Sequence, residues 1–275
     1  MKSKNIVNFG AIVYTDLIET LRKVNKLRRI VMIRLFFVGL FLFWFFVFSL
    51  FLFVFLFFVG LFSKNVKDRM SYAIVSWALR VVLFISGTKL EVKGLENVPK
   101  DRAVLFVGNH RSFFDIVINY SVLPPLMGFI SKIEIKKVPI LCGWMKRMHC
   151  LFLDRDNIKE GMKTIIAGTE KLKNGISMFI YPEGTRAKSD EAMLEFKEGS
   201  FKMAEKSGAP IVPVAINNSS ACFEDQFPRI KKAHVIIEYG KPIETSELSK
   251  EEKKRLGAYV HDIVKEMVMK NKELI

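Results

Sequence analysis

The sequence predicts an α/β protein: a layered mixed sheet flanked by helices and preceded by N-terminal membrane-associated helices. After Gly87, short apolar runs typical of buried strands alternate with segments of helical period, which is the pattern of an α/β layered domain. Before Gly87, residues 35–62 contain neither a charged residue nor a proline, and they hold 13 of the 25 phenylalanines. We therefore predict a membrane-anchoring region over residues 1–87 and an α/β domain over residues 88–275.

The apolar run over residues 35–62 is long enough to anchor the chain in a bilayer. A helix of this length measures about 42 Å, against a hydrocarbon core of about 30 Å. The run is also longer than the apolar core of a signal peptide, so we interpret it as retained. A second apolar stretch, residues 70–87, carries one charge, at Arg80. This stretch either returns the chain across the bilayer or lies along its interface, unless residues 35–62 dip in and return without crossing.

Charge is concentrated at the N-terminus. The chain has 43 Lys and Arg against 28 Asp and Glu, a net charge of +15, and residues 1–34 alone hold eight basic and two acidic residues. By the positive-inside rule this end lies in the cytoplasm, where anionic headgroups attract it. We expect a bacterial-type inner membrane or its equivalent, with the α/β domain facing the cytoplasm. No nucleic-acid motif accompanies the charge, so no nucleic-acid partner is predicted.

The elements of the α/β domain follow from apolar patterning. Strands are predicted at residues 90–94 (an edge strand), 103–108, 127–131, 151–153, 176–181, 211–216 and 235–239. Helices are predicted at residues 113–123, 140–148, 157–173 and 196–206. One long C-terminal helix is predicted to begin at a capping box formed by Ser249 and Glu252.

Polar residues follow the first buried strand, where α/β enzymes place active sites. Gly108 ends that strand, and His110 and Asp115 come next, five residues apart. Across a loop-to-helix junction this spacing lets the carboxylate hold one ring nitrogen of the imidazole. The other nitrogen is then free to act as a base.

Cations follow other strands. Tyr181-Pro-Glu-Gly-Thr-Arg186 forms a turn after a buried strand, and Arg186 offers a planar fork of donors suited to phosphate. Arg155 ends another strand, and Lys132 ends a further element. Three cations at the ends of apolar strands indicate an anion site.

Over roughly residues 90–239, these blocks together resemble the glycerolipid acyltransferase superfamily, and specifically the 1-acyl-sn-glycerol-3-phosphate (lysophosphatidic acid) acyltransferases. The resemblance implies a catalytic dyad of His110 and Asp115. It also implies a set of phosphate-binding residues: Lys132, Arg155, Glu183, Gly184, Thr185 and Arg186. The family's fourth block, around Pro213, is linked to the acyl donor. Tyr181 and Cys150 depart from the usual Phe and Gly without removing a functional group.

The resemblance implies a membrane-bound enzyme of phospholipid biosynthesis. An acyl group would pass from acyl-CoA or acyl-carrier protein to the sn-2 hydroxyl of lysophosphatidic acid, giving phosphatidic acid, with His110 as general base. The partners are then the lysophospholipid acceptor, the thioester donor and the bilayer, and no cofactor or metal is expected. The alternatives are glycerol 3-phosphate or another lysolipid as acceptor, a membrane-bound hydrolase, and a catalytically inactive adaptor. The sequence sets neither acyl chain length nor oligomeric state.

Overall fold

The computed structural model describes residues 3–123, 126–189 and 192–275, and side chains from residue 32 onward outside those gaps. The chain begins with two long helices, α1 (Ser3–Phe62) and α2 (Lys64–Ser86), joined by Ser63 alone. The Ser63 side chain accepts the Val66 N–H and caps α2, which ends at Gly87 in the left-handed region (φ 72°). Both helices begin before the apolar runs that predicted them. Most of the predicted basic cluster lies outside the described side chains.

Helices α1 and α2 form a hairpin. A Cβ placed on Gly87 would lie 3.2 Å from a guanidinium nitrogen of Arg34, so residue 34 of α1 lies beside the end of α2. We call residues 34–86 the hairpin and the turn at residues 62–64 its tip. Among the segments with described side chains, two are long and apolar enough to cross a bilayer, Met32–Phe62 and Lys64–Ser86. These helices indicate membrane association.

Over the described ranges, seven strands form one mixed sheet. They are β1 (Lys89–Lys93), β2 (Leu105–Gly108), β3 (Met127–Lys132), β4 (Leu151–Leu153), β5 (Ser177–Ile180), β6 (Ile211–Asn217) and β7 (His234–Tyr239). Their order is β1-β7-β6-β2-β5-β3-β4, and every pair is parallel except β6 with β7. All seven predicted strands are confirmed, with β1 at the edge.

Six further α-helices follow the hairpin in the residues that the structure describes. They are α3 (Phe114–Val122), α4 (Pro139–Arg147), α5 (Ile158–Lys173), α6 (Lys202–Ser207), α7 (Lys250–Lys254) and α8 (Leu256–Lys272). Side chains of α2 and α3, such as Tyr72 and Ile118, pack with Phe106 and Phe179 on one face. Side chains of α5, α6 and α8 pack with the alternate strand residues on the other face. This alternation places the sheet between two helical layers.

Two predicted helices are wrong in extent. The segment predicted at residues 196–206 is a 3₁₀ turn (Glu198–Phe201) followed by the short α6, because the Lys197 N–H donates to Pro182 and holds the chain extended there. The predicted single C-terminal helix is broken at Arg255. There the Gly257 N–H donates to the Glu198 carboxylate at 2.9 and 3.0 Å. The capping box at Ser249 is confirmed.

One side of α1 packs on protein and the other is exposed. Ser49 is buried, and its hydroxyl accepts the indole N–H of Trp144 in α4 at 2.7 Å, while Phe45 stacks on the same indole. Six exposed aromatic residues follow helical spacing on α1, and we call them the aromatic stripe. They are Trp44, Phe48, Phe51, Phe55, Phe58 and Phe62. A contiguous exposed apolar surface of this kind is typical of a membrane or protein contact.

Candidate active site

The candidate site lies at the carboxyl ends of β2 and β5, which are parallel neighbours. The loops that leave these strands carry His110 and Tyr181, so the two predicted motifs meet at one edge of the sheet. The backbone joins them directly, because the Ala187 N–H donates to the His110 carbonyl at 2.8 Å.

The structure brings His110 and Asp115 together as predicted. His110 Nδ1 lies 2.7 Å from Asp115 Oδ2, and the Asp115 side chain is fully buried. The backbone N–H groups of Arg111 and Ser112 donate to the same oxygen, each at 2.8 Å. A carboxylate held by two amides at the start of α3 favours the tautomer with hydrogen on Nδ1. The lone pair of Nε2 is then available to accept a proton.

Tyr181 supports the imidazole from one side. Its ring stacks on that of His110 with centroids 4.2 Å apart and an interplanar angle of 12°. Burial raises the pKa of Tyr181 well above its usual range, so the phenol stays neutral beside Asp115. The sequence marked Tyr181 only as a departure from the family's usual Phe, and the stacking contact was not predicted.

Glu183 holds the backbone of the loop that carries His110. Its Oε1 accepts the His110 N–H at 2.7 Å, and its Oε2 accepts the Leu194 N–H at 3.0 Å. Burial raises the pKa of Glu183, and the two N–H donors oppose that shift. With both oxygens facing amides, any contribution of Glu183 to phosphate recognition is indirect, through the position of its neighbours.

Cations gather around Gly184, which has a φ of 75° that favours glycine. A Cβ at this position would lie 3.1 Å from Lys197 Nζ and 3.9 Å from Arg155 Cζ. Lys132, paired in register with Leu153, lies exposed at the same edge of the sheet as Arg155. Partial burial lowers the pKa of Arg155. Lys197 was not among the predicted site residues.

Arg186 is held by a residue that the sequence did not indicate. Its Nη1 donates to Glu224 Oε1 at 2.9 Å, and its guanidinium lies 4.4 Å above the Phe113 ring. Glu224 also accepts the Ser112 hydroxyl at 2.6 Å and the Phe113 N–H at 2.8 Å. One carboxylate therefore fixes both the loop after His110 and the arginine. Glu224 lies in a short 3₁₀ turn between β6 and β7, where no local pattern marks it.

Thr185 is exposed beside this arginine. The structure thus brings Arg155, Gly184, Thr185 and Arg186 to one edge with the dyad, with Lys132 at the same edge.

An apolar cavity of about 260 Å³ lies between the hairpin and helices α3 and α4. Its walls include Phe45 and Phe46 of α1, Leu79 of α2, and Trp144 of α4. Phe113 lines it too, and the same ring carries the Arg186 guanidinium. The cavity therefore adjoins the candidate site, and the hairpin forms part of its wall.

Comparison with known proteins places this geometry in a family. The family model described as Acyltransferase matches residues 89–217, which include the dyad and the predicted cations. A probable 1-acyl-sn-glycerol-3-phosphate acyltransferase of Mycoplasma pneumoniae is 33% identical over 189 residues, covering 66% of this chain and 68% of that protein. The chain belongs to the 1-acyl-sn-glycerol-3-phosphate acyltransferase family. The resemblance predicted from the motifs is confirmed.

Other members of this family agree in sequence and in fold. The 1-acyl-sn-glycerol-3-phosphate acyltransferase of Saccharomyces cerevisiae is 32% identical over 196 residues, covering 70% of this chain, and the chain spans 63% of that relative's length. The crystal structure of the 1-acyl-sn-glycerophosphate (LPA) acyltransferase PlsC from Thermotoga maritima superposes with a TM-score of 0.71 at 24% identity, covering 86% of this chain and 97% of that one. The predicted α/β fold is confirmed. Glu224 falls outside the segment matched by the family model.

Proposed function

We propose that this chain is a membrane-bound acyltransferase that moves a fatty acyl group from an acyl thioester to the sn-2 hydroxyl of lysophosphatidic acid, giving phosphatidic acid. The observation that carries the proposal is the contact between His110 Nδ1 and the buried Asp115 carboxylate, at the sheet edge where the cations gather. The family names and the apolar cavity support the same reaction.

In the proposed reaction, His110 Nε2 removes the proton of the acceptor hydroxyl as its oxygen attacks the thioester carbonyl. Asp115 keeps the imidazole oriented and stabilises the imidazolium that forms. Collapse of the tetrahedral intermediate breaks the C–S bond, and the thiolate leaves with the proton returned by His110. The new ester bond and the free thiol balance the reaction without a cofactor or a metal.

The acceptor phosphate is assigned to the cations around Gly184. Arg155 and Lys197 approach this glycine from two elements, and Arg186 uses only one of its two terminal nitrogens on Glu224. Arginine carries five N–H donors, so donors remain for phosphate oxygens. Lys132 adds a further positive charge at this edge.

The fatty acyl chain is assigned to the apolar cavity beside Phe113. Its lining is almost wholly apolar, and its wall includes the α1 residues next to the aromatic stripe. An acyl chain that enters from the bilayer would exchange one apolar environment for another. In this proposal residues 88–275 form the acyltransferase domain, residues 1–87 anchor it, and the site faces the cytoplasm, where acyl-CoA or acyl-carrier protein supplies the donor.

The test is thiol release by the purified full chain, measured with acyl-CoA and with acyl-carrier protein, each with and without lysophosphatidic acid. We expect rapid release only when the acceptor is present, with phosphatidic acid as the product identified by mass spectrometry. Equal release without acceptor would identify a hydrolase. Release that depends on glycerol 3-phosphate or another lysolipid instead would keep the dyad mechanism and reassign the acceptor.

A further inference from the structure

A second cavity, of about 290 Å³, lies at the hairpin tip. It is lined by Leu56, Phe57, Gly60, Leu61, Lys67 and Arg147. Arg147 ends α4, and β4 begins four residues later beside the middle of β3, so the guanidinium lies towards the amino ends of the strands. His110 follows the carboxyl end of β2. The tip cavity is therefore at the opposite edge of the sheet from the candidate active site.

Arg147 is oriented by neighbours that leave its charge unneutralised. Its guanidinium lies 4.0 Å above the Phe53 ring, and its Nη1 donates to the Gly143 carbonyl at 3.0 Å. Among the side chains that the structure describes, no carboxylate forms an ion pair with it. Partial burial lowers the pKa of Arg147, which reflects the cost of holding this cation away from water. The remaining guanidinium donors are available to an anion.

Lys67 supplies a second cation from α2. A Cβ on Gly60 would lie 2.9 Å from Lys67 Cδ, so the absence of a side chain at residue 60 gives room for the lysine stem to cross α1. Asp68 Oδ1 lies 3.6 Å from Lys67 Nζ, while Asp68 Oδ2 faces His149 Nε2 at 3.2 Å. The Asp68 carboxylate is thus shared between Lys67 and His149. Arg147 adds a second positive charge to the cavity.

The other wall of this cavity is apolar and continuous with the aromatic stripe. Phe57 and Leu61 are 60% and 65% exposed, and they lie on α1 beside Phe58 and Phe62 of the stripe. Paired cations next to an exposed apolar surface match a molecule that carries a phosphate on an acyl glycerol. A free phosphate anion would use the cations alone.

We propose that the pocket formed by Lys67 and Arg147 binds the phosphate group of an anionic membrane phospholipid, separately from the acceptor site around Gly184. Such a lipid fixes the hairpin tip at the level of the headgroups, and its acyl chains run along the exposed side of α1. The proposal does not depend on the reaction catalysed at the other edge of the sheet.

The test is lipid binding to the full chain in a neutral detergent, with bound phosphatidylglycerol and phosphatidylcholine counted by native mass spectrometry. Wild-type protein should prefer phosphatidylglycerol. The double variant Lys67→Gln with Arg147→Gln should lose this preference by about tenfold or more, since each cation near a headgroup contributes substantially to anionic-lipid binding. The matched control, Lys64→Gln with Lys171→Gln, removes the same charge near the tip without changing the cavity lining and should keep most of the preference.

A second variant keeps the charge and tests the geometry. Arg147→Lys retains a cation but loses the planar fork, so it should weaken phosphatidylglycerol binding while folding normally. Equal losses in the double variant and in its control would overturn the proposal in favour of a diffuse basic surface. An unchanged preference in Arg147→Lys would also overturn it. If inorganic phosphate stabilised the wild-type chain against heat as well as the lipid did, and failed to stabilise the double variant, the ligand would be a free phosphate.

Discussion

The hairpin and the sheet are both rich in apolar residues, yet they place these residues in different environments. All seven residues of β6 are buried between helical layers. In the most apolar part of Met32–Phe62, by contrast, only 11% of the residues are buried. The sheet completes its own core, and the hairpin leaves an aromatic surface for another partner. The proposed catalytic side chains lie at the sheet edge. Substitutions at that edge should therefore affect the reaction in any lipid dispersion, while substitutions on the exposed side of α1 should matter only with a bilayer.

The largest effect is expected from His110→Ala. Loss of the general base should lower the rate of acyl transfer on the order of a hundredfold or more. The loss should be equal in detergent micelles and in vesicles, because the dyad acts on the bound substrates in both. Initial rates of thiol release in the two dispersions provide the measurement. A variant that kept more than half of its activity would disprove the mechanism.

Asp115→Asn should be nearly as damaging. The amide would face two backbone N–H groups and the imidazole Nδ1 with one acceptor oxygen, which disturbs both the tautomer and the loop. Turnover number, rather than the Michaelis constant for the acceptor, should carry the loss. Asn119→Ala is a useful comparison, since Asn119 binds the Asp115 carbonyl without touching its carboxylate. A loss in Asn119→Ala as large as in Asp115→Asn would point to helix packing instead.

Arg186→Lys should raise the Michaelis constant for lysophosphatidic acid by about tenfold, because a point charge cannot replace the fork that contacts Glu224 and still offers donors to phosphate. Kinetics with the acceptor varied at saturating donor give this constant. Glu224→Gln should lower turnover, since Glu224 holds the Ser112 and Phe113 end of the loop after His110. An unchanged Michaelis constant in Arg186→Lys would remove the arginine from the acceptor site.

The sequence predicts the two regions unequally well. Buried strands such as β2 and β6 were predicted because continuous apolar runs identify them. The dyad was predicted because His110 and Asp115 follow a buried strand, in a block that resembles the acyltransferase family. Glu224 could not be predicted, because its contacts with Ser112 and Arg186 join residues far apart in the chain. The break in the C-terminal helix has a similar origin, in the long-range bond from Gly257 to Glu198.

The packing of the hairpin could not be predicted from amino-acid composition. The run over residues 35–62 predicts a helix that is stable in an apolar environment. Composition does not predict which side of this helix packs against the rest of the protein. The structure assigns one side to Trp144 of α4 and to the wall of the apolar cavity. The division at residues 87 and 88 remains a prediction, since α1 contributes directly to a cavity that adjoins the proposed catalytic domain.

A smaller effect is expected from the aromatic stripe. Changing Phe51, Phe55, Phe58 and Phe62 to Ser should lower activity on vesicles several-fold and leave activity in micelles unchanged. The matched control on the opposite face of the sheet changes the exposed α5 residues Ile158, Met162 and Ile166 to Ser. Vesicle flotation and paired assays give the result. If flotation were normal and the oligomeric state changed instead, the stripe would be a contact between protein chains.

The smallest effect concerns Glu183, at the sheet edge. Burial raises its pKa above the usual 4.5, so the folded state binds the proton more tightly than the unfolded state does. Its contribution to stability is therefore fully present below the usual pKa and is lost as the pH rises through the raised one. Glu183→Gln removes that dependence, and the variant should gain in melting temperature relative to wild type as the pH rises through this window. Thermal unfolding in detergent from acid to neutral pH gives the two curves.

The amide introduced by Glu183→Gln keeps one acceptor oxygen for the His110 N–H but loses the acceptor for the Leu194 N–H, so turnover should fall only a few-fold. A melting-temperature difference that stays constant with pH would mean that this carboxyl group does not titrate differently in the folded chain, and the support of His110 would then rest on hydrogen-bond geometry alone.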